Sequence, residues 1–436
     1  MTVRIAHLSD THLGARPREG IRRNVWAVEM RVRLLENDFY ARFQEIFDKI
    51  ADLDPPVDLV VHSGDLYESP WEGNPSQPPV VAQETALSVI KGFIEKTGIP
   101  VLIIEGNHGL YRTMDVSLLD SLNISVEELN VATQVDLKRA LSKGEPLKFS
   151  YDKLDVFCFP FMEYSVLESA NLVTDFNDWI TTHQKPESKR PSIGVAHGME
   201  LDQSLFGAIF SMGYDYIALG HDHRMHKHSD NAWYAGSPER WRFDEVRHDK
   251  GFLEVDIEHG KKPKVTKHVL EYDRPVLNKE IEIEVDDTVQ SVLAKIQDYF
   301  VDEGLQAEWD PDTAARVRLV FKGDSPRFSG LDLTVAMEGM RVDVLSPESD
   351  YNLSQLVWSI RQKDISHDPA AYPEIESEYL IEDPKTDFES YLDTLKIGED
   401  YDSDILTKVA VRALEFAVGR DEGSFTIDTL SKEGSD

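Results

Sequence analysis

The chain has a single cysteine among its 436 residues, so no intrachain disulfide can staple it. Cys158 lies in the apolar run Val156-Phe157-Cys158-Phe159 and reads as a packed strand residue, not a catalytic thiol. No apolar run approaches the roughly 18 to 20 residues that span a bilayer. Nor is there a signal-peptide core, since the N-terminus runs straight into a strand-like stretch. A membrane is thereby excluded as a partner, and a cytoplasmic location is expected. Internal repeats are absent. Positive charge is scarce: 46 Lys and Arg stand against 80 Asp and Glu, a net charge of -34. So acidic a surface repels a phosphate backbone, and composition alone argues against nucleic acid. Bound divalent cations, a salty cytoplasm or an uneven spread of acid would each soften that argument. The acid is indeed uneven, since residues 371–436 carry 18 acidic against 6 basic residues.

A 41% hydrophobic and 29% charged composition separates the chain from disordered proteins, and its length predicts two or three structural units. Up to about residue 260, β-branched runs alternate with helix-period segments, the pattern of an α/β layered fold. The clearest strands are Val3 to Leu8, Val57 to His62, Val101 to Ile104, Ile193 to Ala196 and Tyr216 to Leu219. Phe39, Phe43, Ile46, Phe47 and Ile50 mark one helix face, and Leu87, Ile90, Phe93 and Ile94 another, with Gly98 as its C-terminal cap. A small α+β module follows at 275–348, with strands at Glu280 to Val285 and Ala315 to Phe321 around a helix at Val289 to Phe300. Residues 349–402 read as an acidic linker. Residues 403–419 read as an amphipathic helix, with Ile405, Leu406, Val409, Ala410, Ala413, Leu414 and Ala417 on one stripe; it either docks on a partner or packs on its own domain.

Five short segments repeat one theme: Asp10-Thr-His12, Gly64-Asp65, Gly106-Asn107-His108, His197-Gly198 and Gly220-His221-Asp222-His223. Each follows a strand, at the rim where open α/β sheets collect ligands. Carboxylate, amide carbonyl and imidazole together suit manganese, iron or zinc. Asp10, His12, Asp65, Asn107, His197, His221 and His223 supply the roughly seven ligands that two ions sharing one carboxylate need. In an extended Asp-x-His, residues i and i+2 point to one side, so Asp10 and His12 are expected to grip one ion together, and His221 and His223 to serve different ones. Gly64, Gly106 and Gly220 are expected to make tight turns that bring the backbone close. Singly, these residues could be a helix N-cap, turn residues and hydrogen-bonded structural histidines; five such segments in this order favour metal. His7 and His62, inside strands, read as core, and His226 and His228 as a solvated loop.

With these segments in hand, the chain resembles the calcineurin-like metallophosphoesterases, and within them the SbcD-type (meiotic recombination eleven) nuclease subunits of double-strand-break repair. The resemblance is carried by His7-Leu-Ser-Asp-Thr-His-Leu-Gly14, Asp58-Leu-Val-Val-His-Ser-Gly-Asp-Leu-Tyr67, Pro100-Val-Leu-Ile-Ile-Glu-Gly-Asn-His108, Val195-Ala-His-Gly198 and Tyr214-Asp-Tyr-Ile-Ala-Leu-Gly-His-Asp-His223. The nuclease branch is suggested by Tyr234-Ala-Gly-Ser-Pro-Glu239 and Lys250-Gly-Phe-Leu-Glu-Val255, which look like a strand pair closing the domain. The resemblance implies a two-sheet α/β sandwich flanked by helices over 1–265, a DNA-capping module at 275–348 and an ATPase-docking helix at 403–419. It implies that Asp10, His12, Asp65 and His223 hold one ion, and that Asp65, Asn107, His197 and His221 hold the other. His108 matches the family's catalytic histidine, and imidazole titrates near working pH, as an acid for the leaving oxygen requires.

The implied activity is DNA cleavage, 3'-5' exonucleolytic or single-strand endonucleolytic, with two divalent ions, manganese foremost, in a homodimer partnered by an SMC-like ABC ATPase of SbcC type. A small-substrate phosphodiesterase or phosphatase, and a non-catalytic DNA-end scaffold, stay open. Two departures from the family pattern, Gly109 after the Asn-His pair and Glu68 three residues after Asp65, bear on the balance of activities and remove no ligand. Arg16, Arg18, Arg22, Arg23, Arg31 and Arg33 form a basic loop near the metal rim, expected to bind phosphate or to make ordinary charge pairs on a helix face.

Overall fold

In the computed structural model the first apolar run forms strand β1 (Thr2–Leu8), and its side chains alternate between two buried faces. Val3 and Ile5 enter one core, Ala6 and Leu8 another, as a period of two dictates. Then come helix α1 (Glu36–Ala51), β2 (Leu59–His62), α2 (Val80–Thr97), β3 (Val101–Ile104), the short α3 (Asp120–Ser125) and β4 (Leu129–Ala132). Strands β1 to β4 lie side by side and parallel, with helices as their crossovers. Helix α2 ends as its sequence predicts, with Gly98 left-handed and its N–H on the Ile94 carbonyl. The structure describes residues 2–16, 31, 34–68, 78–109, 117–162, 173–186, 189–198, 208–272 and 274–361.

A second sheet arises from α4 (Gln134–Lys143), β5 (Lys148–Ser150), β6 (Asp155–Phe159), α5 (Val173–His183), β7 (Ser192–His197), β8 (Tyr216–Gly220), β9 (His226–Lys227) and β10 (Ala232–Tyr234). It runs β5-β6-β7-β8-β10-β9. Strands β11 (Gly251–Glu258) and β12 (Lys264–Val269) return to the first sheet, completing the order β12-β11-β1-β2-β3-β4. Val3, Ile5 and Val61 meet Val156, Ile193 and Val195 between the sheets. Helices α1 and α2 cover the outer face of the first through Phe43, Ile46 and Phe93, and α4 and α5 that of the second through Leu137, Phe176 and Ile180. This is the helix-flanked α/β sandwich expected. The two stretches read as one closing strand pair do not pair with each other: β10 lies beside β8 and β9, whereas β11 lies between β1 and β12.

The module that follows is a parallel three-stranded sheet, β13 (Val276–Ile283), β14 (Ala315–Gly323) and β15 (Leu353–Arg361), crossed by α6 (Val289–Asp302) and α7 (Gly330–Val344). It has a core of its own around Val292, Ile296, Phe300, Leu319, Phe321 and Met337. Strand β15 corrects the expected linker start at 349, because residues 353–361 complete this sheet. Its start is polar for a physical reason: buried Ser354 and Gln355 receive hydrogen bonds from Arg274 and Arg316. Helix α7 carried no clean stripe in the sequence because Leu331 and Val335 face solvent while Leu333 and Met337 are buried. The remainder of the linker and the helix at 403–419 lie outside the described residues. Those described all fall in one compact unit, Met1–Asp364, and none of their helices is long and apolar enough to cross a membrane.

Arginines fasten the module to the sandwich. Arg316, on the central strand, donates to Gln355 Oε1 at 2.9 Å and to the carbonyls of Arg240 and Trp241 at 2.6 and 2.9 Å. Arg274 pairs with Asp38 at 2.6 Å, and Arg31 donates to the carbonyls of Leu353 and Ser346, both at 2.7 Å. Buried charge-assisted hydrogen bonds contribute about 1.5–3 kcal/mol each. Arg316→Ala is therefore expected to lower unfolding stability by about 2–4 kcal/mol. A urea titration would read this as a fall in midpoint; an unchanged midpoint would show that Arg316 does not hold the junction.

Candidate metal centre

Beyond the ends of β1 and β2, two loops continue the pairing of the strands. Ser63 N–H donates to the Leu8 carbonyl, Asp10 N–H to Gly64, His12 N–H to Asp65, Leu13 N–H to Leu66, and Glu68 N–H to Leu13, all within 2.8–3.0 Å. This ladder bends sharply. Among the described residues, five other than glycine have left-handed backbones, and Asp10, His12, Asp65 and His221 are four of them, at φ of 52°, 44°, 58° and 88°. Such strain concentrates at functional sites because only a surrounding network can hold it. The expected reason for Asp10 and His12 acting together is thus corrected: both lie past the strand end, and left-handed turns aim them, not strand alternation. Gly106 and Gly220 are corrected likewise. Neither makes a left-handed turn; instead a Cβ on Gly106 would land on the Asp65 carboxylate and backbone N, and one on Gly220 on the Ser63 carbonyl.

The seven predicted residues converge. Donor atoms of Asp10, His12 and His223 lie within 4.8 Å of one another, as do those of Asp65, His197 and His221. Asn107 Oδ1 joins the second group, 3.0 Å from His197 Nε2 and 2.9 Å from His221 Nδ1. Asp65 stands between the groups: Oδ2 lies 3.1 Å from His197 Nε2 and 4.0 Å from His12 Nε2, while Oδ1 accepts the His108 backbone N–H at 2.8 Å. Both Asp10 carboxylate oxygens accept the His221 N–H at 3.1 Å.

The donor chemistry fits cations. The Nδ1 atoms of His12 and His223 face the carboxylates of Glu68 and Glu245 at 2.8 and 3.0 Å, so each neutral ring keeps its hydrogen there. Their Nε2 lone pairs then confront each other across 3.1 Å. Lone pairs repel at that distance unless positive charge lies beside them, and two nitrogens about 2.1 Å from one ion at a right angle stand about 3 Å apart. His197 repeats the pattern: Nδ1 contacts the Ser63 carbonyl at 2.8 Å, leaving Nε2 against Asn107 and Asp65 oxygens. Burial disfavours charge on His197, yet Asp65 and then Asp10 outweigh it and raise the ring to about 9. Burial pushes Asp65 up, but His197, His108 and His12 hold its carboxyl well below the usual range. A proton or a metal ion is what this centre demands.

Residues 3–225, half of the chain, match the family model of the calcineurin-like phosphoesterases. The chain belongs to that family. Its relatives include DNA double-strand break repair protein Mre11 of Methanococcus maripaludis, 38% identical over 111 residues, 26% of this chain and 24% of that protein. Mre11 of Saccharolobus solfataricus is 27% identical over 257 residues, 56% of each chain. The SbcD subunit of the SbcCD nuclease of Staphylococcus epidermidis is 25% identical over 285 residues, 59% of this chain and 67% of that one. The chain spans from about a quarter to three fifths of the length of the Mre11 relatives that head the matches. Within the calcineurin-like phosphoesterases these relatives place it on the Mre11/SbcD-type branch.

In this calcineurin-like phosphoesterase, groups that no sequence motif marks buttress the ligand rings. Glu245, in the turn Phe243–Arg247, accepts at Oε2 from Lys250 Nζ at 2.7 Å and Trp241 N–H at 3.1 Å while its other oxygen faces His223. Burial pushes Glu245 up, but His223 and Lys250 bring it down to about 2. Trp241 lies against three site rings, with centroids 4.8 Å from His12, 5.6 Å from His108 and 5.7 Å from His223. Periodicity does not reveal these residues either, because an irregular turn after β10 delivers them. His108 is largely buried, with Nδ1 3.1 Å from Glu68 Oε2. Burial disfavours its charge, but Glu68 and Asp65 prevail and raise its pKa.

The remaining expectations divide. His7, between Tyr216 OH and Ser63 Oγ at 2.9 Å each, and His62, 2.9 Å from Thr11 Oγ1, are core residues as expected. His226 and His228 are not on a bare loop: the first lies in edge strand β9 stacked on Tyr234, the second stacks on Phe210. Of the basic loop, Arg16 pairs with Glu36, and Arg31 is buried at the module junction under Trp309. Neither faces the metal rim as a free cation, and Arg18, Arg22, Arg23 and Arg33 lie outside the described residues.

Proposed function

We propose that this phosphoesterase is a two-metal DNA nuclease that processes DNA ends. The observation that carries the metal part is the single carboxylate of Asp65 between two clusters of donors. Asp10, His12, Asp65 and His223 hold one ion, and Asp65, Asn107, His197 and His221 the other. Divalent ions held there supply Lewis-acid activation of a phosphodiester and of the attacking water. Asp65 orients both halves of the site, and the backbone N–H of His108 on its Oδ1 keeps it turned inward. His108, on the 3₁₀ turn Asn107–Gly109, gives a proton to the leaving oxygen. DNA as substrate is supported by the names of the relatives, and manganese by the mixed nitrogen and oxygen donors. The resemblance to the SbcD-type nucleases, and not a name or a contact, is what supports the further reading that the module from Val276 to Arg361 caps DNA, that two copies of the chain pair and that residues 403–419 dock an SMC-like ATPase.

Plasmid and oligonucleotide cleavage with and without Mn2+, comparing wild type with His108→Gln, tests this. Wild type is expected to cleave only with metal, and the variant to lose about 10²–10⁴-fold, the usual contribution of a positioned acid. Hydrolysis of bis(p-nitrophenyl) phosphate without DNA cleavage would favour a small-substrate phosphodiesterase. Inertness toward both would leave a DNA-binding scaffold.

A further inference from the structure

We propose that Glu68 is a positioning residue shared by the ligand His12 and the acid His108, one carboxylate oxygen fixing both rings. The inference rests on the function proposed above. Glu68 Oε2 lies 2.8 Å from His12 Nδ1 and 3.1 Å from His108 Nδ1. A carboxylate oxygen has two lone pairs and can accept both N–H groups. The rings accordingly meet edge to face, with centroids 4.9 Å apart and planes at 89°. His12 Nδ1 hydrogen-bonds to that oxygen, while the buried His108 Nδ1 stands within ion-pairing distance of it and closes no hydrogen bond of its own; the His12 Nε2, at the far side of its ring, lies 4.0 Å from both Asp10 and Asp65. Two of the other ligand rings have separate buttresses, Glu245 for His223 and the Ser63 carbonyl for His197. Among the described residues, Glu68 is the one carboxylate that pairs with both a metal-ligand ring and the ring of the acid.

Glu68 is held well enough for this task. Its N–H donates to the Leu13 carbonyl at 3.0 Å, next to the bridge between Leu13 and Tyr67, and its side chain is only 12% exposed. In the sequence Glu68 stands out only as a departure from the family pattern. Its placement turns that departure into a link between metal affinity and proton delivery, two properties that separate residues would otherwise set.

The test uses the full chain as wild type, Glu68→Ala, Glu68→Gln, His108→Gln and the Glu68→Ala/His108→Gln double variant. Mn2+ binding is followed by the electron spin resonance signal of the free ion, and kcat and KM are measured on an oligonucleotide at saturating Mn2+. Glu68→Ala is expected to weaken one of two Mn2+ sites by about 10–100-fold and to lower kcat by a similar factor, with KM within about threefold. Glu68→Gln keeps an acceptor oxygen without charge and should lose less, about fivefold at that site. His108→Gln should retain both Mn2+ affinities. In its background Glu68→Ala should cost less than about twofold further in kcat, because at saturating Mn2+ the effect through His12 is satisfied and what remains passes through His108. The proposal is overturned if Glu68→Ala binds Mn2+ as wild type does, or if its kcat loss multiplies in full with that of His108→Gln. Should Glu68→Ala fail to fold, wild-type Mn2+ affinity and kcat in Glu68→Gln overturn it equally. If wild type cleaves no DNA, the nuclease reading fails, while the Mn2+ titration still judges Glu68.

Discussion

Asp65→Asn is expected to abolish hydrolysis while leaving the fold intact. The residue sits at φ 58°, a conformation asparagine tolerates better than any other residue except glycine, and the amide has almost the same shape as the carboxylate. What disappears is the negative charge facing His197 Nε2 at 3.1 Å and His12 Nε2 at 4.0 Å, the one anion common to both donor groups. Without it neither proposed ion has a bridging ligand. We expect kcat/KM to fall by at least about 10³-fold, the scale on which loss of one preorganised electrostatic group is felt in a dry site. Mn2+ stoichiometry should drop below two. Ligand linkage supplies a second measurement: an ion that binds only the native state raises the melting temperature. That rise, read in each protein against its own metal-free melting temperature, should shrink in Asp65→Asn, whose metal-free form also loses the buried pairing of Asp65 with His197. If the Asp65→Asn variant cleaved DNA at a tenth of the wild-type rate, Asp65 would no longer qualify as the bridge.

How far the sequence reveals this site can be followed through particular residues. Strand ends are legible because β-branched runs such as Val101 to Ile104 are buried on both sides and stop at polar residues. The convergence of Asp10, Asp65, Asn107, His197 and His221 follows from parallel strands that all present the same end. The turn geometry at Asp10 and His12 was not legible, since no propensity announces a left-handed aspartate; only the ladder to Gly64 and Asp65 enforces it. Trp241 and Glu245 were invisible because an irregular turn brings them in, and Glu68 because its role depends on two rings that meet only in three dimensions. Strand β15 failed for a different reason. Its polar Ser354 and Gln355 resemble linker composition until Arg274 and Arg316 are seen to claim them.

Gly106→Ala should strike directly at the proposed bridge between the two donor groups. Gly106 has an ordinary backbone conformation, so the cost is steric: its Cβ would fall on the Asp65 carboxylate and on the Asp65 backbone nitrogen, and the backbone cannot swing aside as a flexible side-chain tip can. Asp65 is only 2% exposed and its neighbours in the loop ladder are fixed by hydrogen bonds, so either the loop after β3 or the loop after β2 must shift. Overpacking of this kind costs about 1–3 kcal/mol, and forced movement of a ladder places it at the upper end. The functional loss should be larger than the stability loss. A shift of either loop separates Asn107 and the His108 N–H from Asp65, and misplacement by about 1 Å typically costs 10²-fold in rate. Gly92, on the exposed face of α2 with nothing near its would-be Cβ, supplies the contrast. Gly92→Ala should raise stability by about 0.5–1 kcal/mol, because alanine restricts the unfolded chain and favours helix. Urea midpoints moving in opposite directions, with cleavage lost only in Gly106→Ala, would fit this account. Equal and small effects at both positions would mean that the centre is looser than its contacts imply.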